Sequence, residues 1–231
     1  MESKSKAPQG VYTPAACLVD PLTESNCYIL TSGSHALLID PNNAELIIPY
    51  LETHGLIPEY IILTHEHCDH IRGLNDLRAH WDVQVIASQA CSDGIQDTKI
   101  NMTRIMESYL YFKSNGKLQV SYPKFTCAPA DITFADPTFD FTWQNHQFHF
   151  IWVPGHTPGS MCTIVDNTVL YSGDYFIPGE EVITRLPGGD DDAYQHTGKN
   201  ILRTLPVPIW TYPGHGLPFT LTQEVKTNYG L

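Results

Sequence analysis

The stretch Thr64-His65-Glu66-His67-Cys68-Asp69-His70 constrains this chain more than any other, because His65, His67, Asp69 and His70 place four metal-binding side chains within six residues. It follows directly on Tyr60-Ile61-Ile62-Leu63, a short, β-branched apolar run that reads as a buried strand. A strand that ends on such a cluster holds it at the rim of a sheet. Neutral imidazole suits zinc and other borderline transition metals, and a carboxylate adds a hard oxygen and negative charge. Four ligands in so short a loop cannot all close on one ion, so the spacing predicts two adjacent ions, each taking part of the cluster. The remaining ligands must then come from elsewhere in the chain.

Three later stretches offer them. His156 lies in Val153-Pro154-Gly155-His156-Thr157-Pro158-Gly159-Ser160, Asp174 in Tyr171-Ser172-Gly173-Asp174-Tyr175, and His215 in Tyr212-Pro213-Gly214-His215-Gly216. Each follows a β-rich apolar run and stands beside glycine, which lets backbone pass close to a crowded centre. The other six histidines, His35, His54, His80, His146, His149 and His196, lack that context and read as ordinary surface or core imidazoles. The ordered set, a clustered His-x-His-x-Asp-His, then a single His, an Asp and a last His, resembles the metallo-β-lactamase superfamily from about Asn26 to His215.

Composition narrows the partners. Thirteen Lys and Arg stand against 25 Asp and Glu, a formal charge of −12, and no run of basic residues is present, so a nucleic-acid partner is not expected. No stretch is long and apolar enough for a membrane span, and Met1 to Gly10 has no apolar core of a secretory signal. The six cysteines form no Cys-x-x-Cys pair and read as small hydrophobes of a reducing compartment, which predicts a cytoplasmic protein, while the resemblance implies a small-molecule substrate.

Along the chain, residues 1–10 read as a disordered start and 11–231 as one domain, a length that allows a single large α/β core. Strands are expected at 15–19, 26–31 and 35–40. Asn42 with Glu45 three places on predicts a capped helix that carries Ala44, Ile47, Ile48 and Leu51 on one face and stops at Gly55. A second helix runs from Asp69 to Trp81, followed by a strand at 83–87. The aromatic and methionine-rich excursion near 92–118 keeps helical spacing and reads either as a flap over the site or as a cover on the core. From Asp131 the pattern is hairpins that deliver His156 and Asp174. Asp190-Asp191-Asp192 then starts a helix reaching about Leu205, and a last strand at 207–212 delivers His215.

The resemblance implies more than spacing can. It implies a four-layer αββα sandwich, with His65, His67 and His156 on one zinc ion, Asp69, His70 and His215 on a second, and Asp174 bridging them. Iron or manganese are the alternative metals. It also implies a hydrolase in which a hydroxide between the ions attacks a thioester, ester or lactone. Asp69 and Tyr175 are the expected catalytic residues, Tyr175 as a donor to an oxyanion, while Glu66 and Cys68 sit between ligands and are candidates for a supporting role. Pro-Gly-His-Thr-Pro-Gly-Ser, Ser-Gly-Asp and Pro-Gly-His-Gly look most like the glyoxalase II-like branch, the hydroxyacylglutathione hydrolases. Two departures stand out. Only 16 residues follow His215, where the larger members of that branch append a glutathione-binding helical domain. Compact members often carry Gly-Arg-Thr-Asp-Phe-Pro-Gly-Gly where this chain has Val182-Ile183-Thr184-Arg185-Leu186-Pro187-Gly188-Gly189, which implies an altered substrate pocket with Arg185 as a possible anion contact. The rivals on the same fold are a mononuclear iron persulfide dioxygenase and a lactonase or β-lactamase.

Overall fold

Runs such as Cys27-Tyr28-Ile29-Leu30 are apolar at every position, which a strand tolerates only when both of its faces are covered. The computed structural model describes residues 7–231 and shows how that cover is built. One six-stranded sheet takes β1 Ala16–Val19, β2 Asn26–Ser32, β3 His35–Ile39, β4 Ile57–Ile62, β5 Gln84–Ser88 and β6 Ile132–Phe134, in that order. Its first three strands are antiparallel and the rest are added in parallel. A second sheet takes β7 Thr138–Trp143, β8 His146–Trp152, β9 Met161–Val165, β10 Val169–Gly173, β11 Ile209–Pro213 and β12 Phe219–Leu221, and only β10 and β11 run parallel in it.

Helices cover both outer faces. Along the chain they are α1 Ala44–Thr53, α2 Cys68–Ile71, α3 Leu74–His80, α4 Gln89–Gly94, α5 Met106–Lys113, α6 Asp191–Ala193, α7 Lys199–Thr204 and α8 Gln223–Asn228. A π-helical stretch, Tyr194–Gly198, joins α6 to α7. Ile47 and Leu51 of α1 and Leu74 and Leu77 of α3 pack on Cys27, Ile29, Ile61 and Val85 of the first sheet. The alternate residues Tyr28 and Leu30 point the other way, with Ile62, onto Phe148, Phe150 and Tyr171 of the second sheet. Leu202 and Leu205, at the end of α7, and Val225 of α8 close the far side over Ile164, Leu170 and Ile209. The result is the αββα sandwich of a single α/β domain.

Residues 1–6 of the expected disordered start lie outside the described residues, while Ala7, Val11 and Tyr12 pack against the core between the sheets. Two local expectations change. The N-cap of α1 is Asn43, whose side chain accepts from the Glu45 amide at 3.0 Å, while the Asn42 side chain is held on the carbonyls of Leu18 and Ser25, to which its amide nitrogen donates at 3.0 and 2.6 Å. The helix expected from Asp69 to Trp81 is split into α2 and α3. Gly73 lies so close to the chain at Pro41 to Ala44 that an added Cβ would stand 2.8 Å from the Ala44 nitrogen, and the helix breaks where the two backbones meet.

Candidate metal centre

The loop after β4 is fixed before it reaches its first histidine. Asp40, just past β3, accepts from the Thr64 amide at 2.7 Å and from the Thr64 hydroxyl at 2.6 Å. Its second oxygen also lies 3.0 Å from Nδ1 of His70. One carboxylate thus ties the start of the loop to its end. His65, Glu66, His67 and His70 are all buried, so their orientation is set by protein partners rather than by water.

Those partners assign the imidazole tautomers. Nδ1 of His156 lies 2.8 Å from the Ile183 carbonyl and Nε2 of His67 lies 3.1 Å from the Pro187 carbonyl, and a carbonyl can only accept. The hydrogen of each ring therefore points outward. Nε2 of His156 and Nδ1 of His67 are left facing each other at 3.2 Å, two lone pairs with room for a cation between them. The Thr64 hydroxyl gives its hydrogen to Asp40, so it accepts from Nδ1 of His65, 3.0 Å away. Nε2 of His65 is then a third inward lone pair, and it is buried without a hydrogen-bond partner, as are Nε2 of His70 and Oδ1 of Asp174. Orphaned buried polar atoms are costly unless something fills the space between them.

The ligand atoms gather in two groups. Those of His65, His67 and His156 lie within 4.8 Å of one another, and so do those of Asp69, His70 and His215. Asp174 stands between the groups, 3.6 Å from Nε2 of His156, 3.4 Å from Nε2 of His70 and 3.7 Å from Nε2 of His215. The seven side chains singled out in the sequence are thus brought to one place. A third grouping of Asp40, His65 and His70 meets the same distance criterion, but Asp40 is already committed to Thr64 and His70 and serves to orient them.

The charges of the pocket call for cations. Burial drives His65 well below the usual imidazole range, helped by the neighbouring rings, and brings His67 down to about 3, so both are neutral ligands. At the other group burial opposes charge but loses. The carboxylates of Asp174, Asp69 and Asp40 push His70 up to about 10, and Asp174 and Asp69 raise His215. Asp69 and Asp174 are in turn held low by the facing histidines against the pull of burial. A proton on His70 helps balance the buried carboxylates, a balance that bound dications would take over, releasing it.

A family model described as the metallo-beta-lactamase superfamily matches residues 20–215. The chain belongs to that superfamily. It is a metallo-hydrolase with glyoxalase II-like relatives. One of these, named "Probable metallo-hydrolase YqgX", from Bacillus subtilis, is 29% identical over 209 residues, which is 89% of this chain and 91% of the relative. The hydroxyacylglutathione hydrolase GloC of Haemophilus influenzae is 26% identical over 208 residues, 89% of this chain and 92% of its own. Among solved structures, TTHA1623 in a di-iron-bound form superposes with a TM-score of 0.70 at 27% identity, covering 94% of this chain and 99% of that one. The BLEG-1 B3 metallo-beta-lactamase superposes with a TM-score of 0.71 at 26% identity, over 87% and 91%.

Around this superfamily centre the structure places the other candidates. Tyr175, expected as an oxyanion donor, spends its hydrogen on the backbone. Its hydroxyl donates to the Val153 carbonyl and accepts from the His156 amide at 3.3 Å, and it does not line the cavity above the centre, so it shapes the loop that carries His156. Glu66 turns away from the metals. It accepts from the Thr157 hydroxyl at 2.9 Å and the Gly159 amide at 3.3 Å and braces the same His156 loop from the other side. Cys68 packs with Met102, Met106 and Tyr122, and all six cysteines are free. Arg185 lines a separate depression with Lys199 and Tyr194. Asp40 is the functional residue that sequence reading passed over. Its signal was a carboxylate at the end of a buried strand, beside Pro41, and only the fold shows what it reaches. No helix among the described residues is long and apolar enough to cross a membrane.

Proposed function

We propose that this chain is a dinuclear metal-dependent hydrolase that opens a thioester, ester or lactone of a small molecule. His65, His67 and His156 would hold one ion and Asp69, His70 and His215 the other, with Asp174 shared. The observation that carries this reading is the pair of ligand groups that meet around Asp174, with buried unpartnered atoms on His65, His70 and Asp174, at the floor of a cavity of about 250 Å³. A donor set of five imidazoles and two carboxylates suits zinc first, with iron or manganese next. Such a pair, when bound, supplies a nucleophilic oxygen at neutral pH and polarises the acyl carbonyl.

The chain's own part is placement. Asp69 lines the cavity and is held ionised by His70 and His215, so it accepts a hydrogen bond from the attacking water and aims its oxygen at the acyl carbon. The water oxygen forms the new bond to that carbon while the carbon–sulfur or carbon–oxygen bond breaks. One proton ends on the departing thiolate or alkoxide and an acid is released. Val153 and the His156 loop, pinned by Tyr175 and Glu66, keep the first group rigid during this exchange.

The test is metal analysis joined to hydrolysis. The purified chain is expected to hold two transition metal ions and to hydrolyse thioesters or lactones in proportion to zinc loading. Fewer than one bound ion per chain, with no gain on adding zinc, overturns the reading. One iron per chain with persulfide-dependent oxygen uptake would instead install the dioxygenase, although a one-ion enzyme has no need of the second group at Asp69, His70 and His215.

A further inference from the structure

The cavity over the metal floor has two walls, and neither is built for a strongly charged ligand. Met106 and Leu110 of α5, with Leu22, form one, and Ile177, Ile183 and Leu186 of the segment after β10 form the other. Apart from the histidines of the floor, the lining holds a single basic side chain, Lys113, and its ammonium lies 5.9 Å from the centroid of the Tyr109 ring. Glu24 and Glu180 stand on the same walls. Even with the floor carboxylates neutralised by cations, the walls keep two carboxylates against one ammonium. The cavity is open on one side, and its inner part of about 250 Å³ takes a short acyl chain or one aromatic ring, so anything longer must extend out through its mouth.

Of the three hydroxyls on these walls, one is left free to serve a ligand. The hydroxyls of Thr23 and Ser114 are engaged, Thr23 with Asp20 at 3.0 Å and Ser114 with the Tyr111 carbonyl at 2.9 Å. The Tyr109 hydroxyl makes no hydrogen bond to any of the described residues, although it is half-buried and its ring lines the cavity. Burial, then the charges of Asp69 and Asp174, push its phenol up to about 12, so it remains an O–H donor throughout the working pH range.

We infer that this cavity is an acyl subsite, which takes a compact, uncharged apolar acyl or aryl group between α5 and the segment after β10, with the Tyr109 hydroxyl donating to an oxygen of the substrate. The thiol or alcohol half then projects outward, and recognition rests on the acid half. This rests on the hydrolase reading for its chemistry, but the binding preference stands on the walls alone. It separates this chain from a selector of glutathione, whose two carboxylates would meet two acidic residues and one lysine.

The experiment uses neutral amides, which keep the acyl group and resist hydrolysis. Hexanamide, benzamide, acetamide and glutathione are titrated into the full chain, with and without zinc, and followed by calorimetry and by the methionine methyl resonances of Met102 and Met106. Hexanamide and benzamide are expected to bind at least tenfold tighter than acetamide or glutathione. Tyr109→Phe should weaken both about tenfold, and Ile177→Glu, at a half-buried position on the opposite wall, should weaken them further, with unchanged thermal melting in each variant. Tighter binding of glutathione than of hexanamide, or an unchanged hexanamide affinity in Tyr109→Phe, overturns the inference. A chain that binds these amides and hydrolyses nothing with zinc would sink the hydrolase reading and leave the subsite standing. A chain that hydrolyses acetyl and hexanoyl thioesters alike would do the reverse.

Discussion

Asp40 shows how much of the centre rests on a residue that binds no substrate. Its carboxylate reaches Thr64 twice and His70 once, so losing its charge frees the His70 ring and loosens the turn that presents His65. Asp40 has φ +54°, a conformation asparagine also tolerates, so Asp40→Asn should keep the backbone. Its affinity for the more weakly held metal ion should fall by roughly ten- to a hundredfold in a chelator competition, with far-ultraviolet dichroism unchanged. Glu66 works differently. Burial lifts its carboxyl to about 7 from an ordinary 4.5, so between those values the folded chain binds more protons than the unfolded one. Stability of the metal-free protein should therefore drop as pH rises through that window and level off above it, by on the order of a few kcal/mol for a fully buried group. Glu66→Gln cannot ionise. The difference in urea unfolding free energy between the two proteins, measured from pH 5 to 8, should follow this slope, and a flat difference would refute the assignment.

At the scale of elements, strands act as rods that deliver ligands and the turns after them decide where the ligands land. Gly214, after β11, is the tightest of these junctions. A Cβ there would stand 2.2 Å from Oδ1 of Asp174 and 2.9 Å from Cε1 of His70, so any side chain must push the shared carboxylate aside. Gly214→Ala should lose at least one of the two ions by elemental analysis and cut hydrolysis by about a hundredfold or more, since displacements near 1 Å suffice for that. The pairing of strands was legible where alternation was clean, as in β7 and β8, and the apolar run before His65 marked β4. The breaks were not. Gly73 interrupts a helix because of a chain more than twenty positions earlier, and the Asn42 side chain is held on the carbonyls of Leu18 and Ser25. Local sequence carries propensity, and these contacts are between segments.

The whole molecule is a sandwich whose two sheets supply different halves of one centre. His65, His67, Asp69 and His70 come from the first sheet, and His156, Asp174 and His215 from the second. Asn26 and Tyr28 of β2 stitch them together by donating to the Pro213 carbonyl at 3.0 and 2.6 Å, one turn from His215. Ions gripped from both sheets bind only the assembled state, so removing them should lower the melting temperature and zinc should restore it. Zinc at a hundred times its dissociation constant is worth about 2.7 kcal/mol, roughly 5 to 10 °C for a domain of this size, by differential scanning fluorimetry with and without chelator. A chelator-insensitive melt would mean that the ions do not bridge the sheets. The amino-acid sequence alone determined the ligand types, their order and the strand ends that carry them, because a strand's end and a glycine beside it are local facts. The tertiary structure alone decided that Asp40 orients the centre, that Tyr175 and Glu66 brace a loop, and that the cavity walls are apolar. Each of those depends on which distant surfaces burial brings into contact.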